Sequence, residues 1–499
     1  MGIFLLILYS AAMGFILLYS VSQFHLALVY RRFQKKGKKE HETLPPGPRE
    51  DEEWPFVTVQ LPIYNELYVI ERLIDAVADF DYPKDRFEIQ ILDDSTDETV
   101  EITAKKVAEI RATKGVQIEQ VRRELREGFK AGALQYGMAT AKGEFIAIFD
   151  ADFVPPRDFL RNTIPHFDAD HIGVVQTRWE HINENYSMLT RLQAFALDAH
   201  FSVEQQGRNA GGFFINFNGT AGVWRRSCIE DAGGWQSDTL TEDLDLSYRA
   251  QLKGWRFKFM ENLESPAELP AAMGAIKSQQ FRWTKGAAEV ARKNLGKVIR
   301  AKLPLGIKIH ATAHLLNSFL FICILTTSLI SVPIMVLKAN DPQLHDAVQY
   351  ASIFMLSLLS LILFFWVSRT NRESGPVLPR MLRFSGRFIV FMSISMGLAL
   401  HNAIATLEGY IGKKSPFIRT PKFAIKDLSD DWRTRTKYLS RRLSPVTLLE
   451  GFLAIYFAAG IFLDFFYLDF GLFPFHLLLF FGYSVIFYFS VRHTLIPSA

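Results

Sequence analysis

The sequence predicts an α/β chain, a Rossmann-like, doubly wound domain embedded in an α-helical transmembrane region. Three observations predict it. Long uncharged apolar runs stand at both ends of the 499 residues. Between them, from about 40 to 305, short apolar runs alternate with helix-period segments, the pattern of βαβ layers around a parallel sheet. The polar clusters of this middle region follow directly on predicted strand ends. With 49% hydrophobic residues, and 56 Lys+Arg against 52 Asp+Glu, the composition excludes a disordered chain and offers no bulk attraction for nucleic acid. The two cysteines, Cys228 and Cys323, have the spacing of neither a zinc site nor a disulfide framework.

Residues 1–30 contain no Asp, Glu, Lys or Arg, more than the roughly 20 apolar residues a spanning helix needs. Lacking a charged n-region and an early cleavage site, they read as a permanent anchor rather than a signal peptide. The cluster Arg31, Arg32, Lys35, Lys36, Lys38 and Lys39 follows, which the positive-inside rule places in the cytoplasm. The N-terminus is then outside and the middle domain inside. Residues 31–54 form a basic, Pro-rich linker to a domain over 55–305. Its predicted strands are 56–61, 87–92, 116–119, 145–149 and 173–177, and its predicted helices 66–79, 97–111, 127–141 and 244–253. The membrane region over 306–499 has predicted spans at 312–337, 350–368, 448–468 and 471–491. A further segment, 386–406, is ambiguous. As a sixth span it would carry the basic loop containing Lys413, Lys414, Arg419, Lys422, Arg433 and Arg442 to the outside. It is therefore expected to lie in the interface, giving five spans in all, an outward-facing link over 338–349 and a cytoplasmic loop over 411–445.

In open α/β sheets ligands bind at the carboxyl ends of strands. There the sequence places Pro62-Ile63-Tyr64-Asn65-Glu66, Asp93-Asp94-Ser95-Thr96-Asp97 and Asp150-Ala151-Asp152, with neither a G-x-G-x-x-G nor a Walker loop. The two carboxylates of Asp150-Ala151-Asp152 can serve a sugar or ribose and a hard divalent cation, or simply form a turn. Asp94 can accept hydrogen bonds from a base or ribose, and Asp97 can cap the next helix. Lys130 opens a helix and can face phosphate oxygens, or be a solvated lysine. In Thr241-Glu242-Asp243 a carboxylate can act as general base on a sugar hydroxyl, or the triplet can cap a helix and complement its dipole. Gln279-Gln280-Phe281-Arg282-Trp283 sets an amide, a guanidinium and an indole on one helical face, suited to phosphate and to a pyranose ring. The alternative is an amphipathic helix with a membrane-anchoring Trp.

Asp94, Asp150-Ala151-Asp152, Thr241-Glu242-Asp243 and Gln279-Gln280-Phe281-Arg282-Trp283, in this order and flanked by membrane helices, resemble the D, D-x-D, T-E-D, Q-x-x-R-W pattern of membrane-bound family 2 glycosyltransferases. The run Phe217-Asn218-Gly219-Thr220-Ala221-Gly222-Val223-Trp224-Arg225 and Leu252-Lys253-Gly254-Trp255-Arg256 look like the plant cellulose-synthase-like A and C groups, which make mannan and glucan backbones. The resemblance covers about 55–300. It implies a cytoplasmic GT-A domain beneath a channel of helices and an inverting single displacement from an α-linked nucleotide sugar to a β-glycoside. By this resemblance Asp243 would deprotonate the acceptor, and Tyr64, Glu66 and Asp94 would hold the nucleotide. Asp150 would contact the nucleotide sugar and share with Asp152 the binding of Mg²⁺ or Mn²⁺. Lys130, Gln279 and Arg282 would hold phosphates, while Trp283 and Glu242 would bind the acceptor, Trp283 by stacking. Phe417-Ile418-Arg419-Thr420-Pro421-Lys422 resembles the F-x-V-T-x-K gating loop of cellulose synthases through Phe417, Thr420 and Lys422, departing from it at Arg419. With no segment after 492 to fold as a regulatory domain, control by a cyclic dinucleotide through such a domain is not expected.

The expectation is a processive synthase of a β-linked glucan or mannan that extrudes its product across a bacterial inner membrane or a Golgi-type membrane. Its partners would be UDP-glucose or GDP-mannose, the growing glycan, membrane lipid and a possible export subunit, with no nucleic acid. The rivals are a transferase adding one sugar to a lipid and a non-catalytic transporter, for which Asp464 and Asp469 are the intramembrane charges to consider.

Overall fold

The computed structural model describes residues 2–37, 54–341, 356–370, 372–415, 418–425, 427–438 and 443–495. Seven strands form one sheet in the order β3-β2-β1-β4-β6-β5-β7. They are β1 (Val57–Ile63), β2 (Phe87–Asp93), β3 (Gln117–Val121), β4 (Phe145–Ile148), β5 (Ile172–His181), β6 (Gly222–Arg225) and β7 (Arg256–Ala267). β1 to β4 pair in parallel, as expected, but β6 runs antiparallel to both β4 and β5, so the sheet is mixed. Four residues with no alternation give β6 no signal in the sequence, and charged residues interrupt β7. The antiparallel entry has a consequence for the site: pairing Ile148 with Gly222 sets the residues before β6 beside the acidic turn after β4.

The sheet is covered on both faces, which explains strands that read as continuous apolar runs. Phe145 and Ala147 of β4 join one core with Val57, Val59, Leu61 and helices α2 (Ile70–Ala78) and α3 (Thr99–Lys114). Ile146 and Ile148 join the other with α4 (Phe129–Met138) and Trp224. Each of these two fully buried isoleucines contributes roughly 1.5–3 kcal/mol. Strand and helix positions match expectation within a few residues, except that α2 starts at Ile70 instead of 66, leaving Tyr64 to Glu66 in a loop at the sheet edge. Both cysteines are buried and free.

Among the described residues four helices are long and apolar enough to cross a membrane: α1 (Gly2–Gly37), α9 (Phe319–Asn340), α13 (Pro445–Phe466) and α14 (Phe473–Thr494). In chain order between these stand α5 (Met188–Ala199), α6 (Glu242–Leu252), α7 (Met273–Arg300), α8 (Leu305–Leu315), α10 (Leu356–Arg369), α11 (Val377–Gly397) and α12 (Ala399–Ile411). The cluster Arg31 to Lys36 continues helix α1, and most of the expected linker and of the 338–349 link lies outside the described residues. The expected 312–337 span is divided between α8 and α9, and the described part of the 350–368 span is α10. The 386–406 segment is not one interfacial helix but parts of α11 and α12, bent by 50° against each other. Both flanks of this bent pair reach back to the domain. Before it, Arg369 and Arg372 bind the fully buried Asp198 at 2.7 and 2.8 Å, together with Arg178 at 2.6 Å. At its end, Glu408 in the last turn of α12 and Ser415 just beyond it meet the buried Lys285 of α7.

Candidate active site

One cavity at the carboxyl edge of the sheet gathers Tyr64, Glu66, Asp94, Lys130, Asp150 and Asp152 with Glu242, Asp243, Gln279, Arg282 and Trp283. Thr420 and Lys422 of the 418–425 loop line it as well. Phe417 lies outside the described residues.

Strand β2 delivers Asp94, whose carboxylate is held bidentately by Arg123 at 2.7 and 2.6 Å. Arg126, one turn further, stacks on the Tyr64 ring with its guanidinium carbon 3.4 Å from the centroid. Neither arginine was singled out in the sequence; their signal is the Arg122-Arg123 pair and Arg126 between β3 and α4, indistinguishable there from a solvated loop. Asp97 accepts from the backbone N–H of Thr99 at 3.0 Å, so its side chain caps the first turn of α3 as the alternative reading has it.

After β4, Asp150 pairs with Lys130 at 2.5 Å, and Lys130 also donates to the carbonyl of Gly219 at 2.9 Å. Burial opposes the ammonium charge, but Asp150, Glu242 and Asp243 outweigh it and hold the Lys130 pKa above its ordinary value. Asp152 is paired with Lys422. Arg419, the residue departing from the gating pattern, donates to the Tyr64 carbonyl at 3.1 Å and stands 3.6 Å from Glu66. Burial pushes Glu66 up to about 7, with Arg419 and Lys422 pulling the other way.

Thr241 makes no side-chain cap, so the capping alternative for the triplet fails at its first residue. Glu242 and Asp243 open α6 side by side. Burial, then the charge of Glu242, pushes Asp243 up to about 7 against the pull of Lys130, and burial raises Glu242 as well. Asp243 Oδ1 accepts from the backbone of Leu244 at 2.8 Å. A Cβ on Gly219, whose φ is +81°, would lie 2.9 Å from Asp243 Oδ2, so glycine alone fits at this approach. Helix α7 is clamped to the triplet in the same way: a Cβ on Gly286 would lie 2.5 Å from the Thr241 methyl group. Arg282 donates to Thr420 Oγ1 at 2.8 Å, tying this helix to the loop.

A second cavity, of about 430 Å³, opens from the first between α7, α9, α11 and α14. Asp243, Gln279, Trp283 and Asn218 line both cavities and therefore mark their junction. Glu242 lines only the first, with Lys130 and Arg282.

Among the described residues no group of three His, Cys, Asp or Glu side chains forms a metal cage. Asp150 and Asp152 do fit a hard divalent cation. Such ions are held by one or two carboxylates and completed by phosphate oxygens, and both carboxylates are already partnered by a cation.

The family described as glycosyltransferase-like family 2 matches residues 55–286. The chain is 34% identical over 468 residues to glucomannan 4-beta-mannosyltransferase 1 of Oryza sativa subsp. japonica, across 89% of this chain and 84% of that one. It is 43% identical over 290 residues to probable glucomannan 4-beta-mannosyltransferase 4 of the same plant, spanning about half (52%) of that relative's length. Among solved structures, the mannosyltransferase PcManGT from Pyrobaculum calidifontis, determined in complex with GDP-Man and Mn²⁺, shares the fold with a TM-score of 0.53 at 20% identity, over 81% of this chain and all of that one. The chain belongs to glycosyltransferase family 2, in its cellulose-synthase-like branch, and its GT-A domain is that of a nucleotide-sugar glycosyltransferase.

Proposed function

We propose that the protein polymerises a β-linked mannan or glucomannan from a nucleotide sugar, GDP-mannose first among the candidates, and passes the product between its own helices. One observation carries the reading: the carboxylate with a pKa near 7, Asp243, stands where the donor cavity meets a second cavity running among the membrane helices. A base at that boundary faces the sugar donor on one side and an incoming glycan end on the other. The names of the plant relatives support the choice of sugar.

In this mechanism Tyr64 and Asp94 receive the nucleotide, with Arg123 fixing the Asp94 carboxylate. Lys130 and Arg282 take the diphosphate charge, each being close enough to carboxylates to exchange one anion for another. Gln279 stands with them at the junction. Trp283 offers its indole face to the terminal sugar of the acceptor. Asp243 removes the proton from the attacking hydroxyl, which displaces the nucleoside diphosphate from the opposite face with inversion. A divalent cation, Mg²⁺ or Mn²⁺, held by Asp152 and Asp150 would supply electrostatic stabilisation of the leaving diphosphate. Thr420 and Lys422 close over the donor, through Arg282 and Asp152 respectively.

We further place the domain in the cytoplasm, with five spans and the α11–α12 pair re-entering on the cytoplasmic side. The positive-inside rule supports this, as does the return of both flanks of the pair to the domain. The transporter alternative loses its motivating charges. Asp464 of α13 is bonded to His476 of α14 at 2.9 Å, and Asp469, in the turn between these helices, to Lys338 of α9 at 2.7 Å.

The test is nucleoside diphosphate release by the purified protein in lipid, offered GDP-mannose, UDP-glucose and UDP-N-acetylglucosamine separately with Mg²⁺ or Mn²⁺. Products are digested with linkage-specific glycosidases. Release with GDP-mannose, giving a mannanase-sensitive polymer and abolished by Asp243→Asn, is expected. A single hexose found on lipid, or turnover untouched by Asp243→Asn, overturns the reading.

A further inference from the structure

We propose that His200 is a positioning residue for sugar transfer, orienting the side-chain amide of Asn218 so that its N–H group faces a sugar hydroxyl at the junction of the two cavities. This rests on the glycan-synthase reading above and adds to it a residue outside the sequence motifs that carry the family resemblance.

The orientation of Asn218 is fixed from three sides. Its backbone N–H donates to Gln176 Oε1 at 3.0 Å. Its Oδ1 accepts from Asn216 Nδ2 at 2.9 Å and from His200 Nε2 at 3.1 Å. With two donors on the oxygen, Nδ2 is turned away from them, and it is buried with no partner among the described residues. A buried amide nitrogen without an acceptor is costly unless a ligand supplies one. Asn218 lines both cavities, as Asp243 does, and a Cβ on its neighbour Gly219 would lie 2.9 Å from Asp243 Oδ2. The unsatisfied donor therefore belongs to the same stretch of cavity wall as the base.

His200 holds this arrangement because its own ring is pinned. Nδ1 faces Glu204 Oε2 at 2.8 Å and Nε2 faces Asn218 Oδ1 at 3.1 Å, and with an oxygen acceptor on each side the ring donates from both nitrogens as the imidazolium, the form in which it pairs with the Glu204 carboxylate. Glu204 is anchored in turn by Arg208 at 3.6 Å. The three residues belong to a helix that widens into a π-helical segment over His200–Gln206, a local irregularity frequent at functional sites. A pyranose supplies what the site lacks. Its hydroxyls come in vicinal pairs, so one can lose its proton to Asp243 while the oxygen of its neighbour accepts from Asn218.

The experiment compares Asn218→Ala, His200→Phe, His200→Gln and the double variant Asn218→Ala/His200→Phe in lipid, reading product length and glycan formed per nucleoside diphosphate released. Nucleotide affinity is measured beside them as a control for folding. Phenylalanine keeps the ring and loses the donor; glutamine keeps an N–H near the position of Nε2. Asn218→Ala and His200→Phe are expected to shorten the product and lower the glycan yield per nucleotide roughly tenfold, the loss of one hydrogen bond to a sugar. His200→Gln restores both to within about threefold, and the double variant is no worse than Asn218→Ala. Equal behaviour of His200→Phe and His200→Gln overturns the proposal, as does an effect of His200→Phe that adds to that of Asn218→Ala, or one that also removes nucleotide binding. No nucleotide release by the unmodified protein with any donor would instead refute the glycan-synthase reading itself.

Discussion

The acid limb of the pH–rate profile belongs to Asp243. A general base works only ionised, and burial together with the Glu242 charge pushes this carboxyl up to about 7. About one eleventh of the free enzyme then carries the ionised base at pH 6 and about ten elevenths at pH 8, so kcat/KM for the donor rises roughly tenfold between them. Glu242→Gln removes the adjacent negative charge. At a separation of a few Å and an effective dielectric near 20, that interaction is worth more than 1.4 kcal/mol, and the limb moves at least about one pH unit toward acid. The assay is nucleoside diphosphate release from pH 5 to 9 at constant ionic strength, with nucleotide affinity followed in parallel. Glu66 is also pushed to about 7, so Glu66→Gln is the control: the limb stays in place. Asp243→Asn removes the limb with about 10²–10⁴-fold of the rate. Stability moves the opposite way. A carboxyl whose pKa is raised on folding stabilises the fold fully below its unfolded value near 4, and this is lost as pH rises through 7. Asp243→Asn therefore raises thermal stability at pH 8 by about 1–4 kcal/mol and leaves it unchanged near pH 4. A flat rate profile, or a limb indifferent to Glu242→Gln, refutes the assignment of the base.

Three further outcomes are expected. Arg123→Met leaves the buried Asp94 with only the longer ion pair to Arg126 at 3.8 Å, costing up to about 3–5 kcal/mol of stability and weakening nucleotide binding; calorimetry that finds neither loss would show that the pair is ornamental. Lys422→Met frees the Asp152 carboxylate and tightens Mn²⁺ binding to the nucleotide-free protein several-fold, read by paramagnetic resonance of the free ion, whereas unchanged affinity would mean that Lys422 does not compete there. Gly286→Ala places a methyl group 2.5 Å from Thr241 and must push the Thr241-Glu242-Asp243 turn off α7. It should lower kcat at least tenfold for about 1–3 kcal/mol of lost stability, and wild-type kcat would refute the clamp.

Much of the site was legible because its residues sit where the chain changes from apolar strand to polar turn. Asp94, Asp150 and Asp152 follow β2 and β4 directly, and the parallel register of β1, β2 and β4 brings these ends together. Residues contributed by long-range returns of the chain were not legible. Asn218 and Gly219 share the cavity wall with Asp243 because β6 enters the sheet antiparallel, and Arg123 reaches Asp94 across 29 residues. Arg419 looked like a departure from a gating pattern and proves to touch Tyr64 and stand beside Glu66, since a sequence motif fixes spacing but not which strand end a loop meets. The break between α11 and α12 was missed for a related reason. Apolar periodicity runs unbroken across Leu398, and the one local mark of the 50° bend is Gly397, whose backbone packs so closely on Gly482 of α14 that a Cβ would lie 2.5 Å from it.

The charges of the donor cavity explain why the resting site is closed on itself. Seven carboxylates, those of Glu66, Asp94, Asp150, Asp152, Glu242, Asp243 and Glu268, face the five cations Arg126, Lys130, Arg282, Arg419 and Lys422. Leaving such a set unpaired away from water is prohibitive, so the fold matches them internally: Lys130 with Asp150, Lys422 with Asp152, Arg419 beside Glu66. The residual negative excess is relieved by holding Glu66 and Asp243 near half-protonation at neutral pH. A nucleotide sugar brings a diphosphate, which needs the same lysines and arginines. Its entry therefore releases Asp150 and Asp152 from their internal partners as it engages Lys130, Arg282 and Lys422. Asp150 and Asp152, so released, would hold a divalent cation, which would supply charge stabilisation to the diphosphate. On this argument cation and nucleotide bind cooperatively, each worth little alone, and the loop that carries Arg419, Thr420 and Lys422 follows the phosphate charge instead of simply covering the opening.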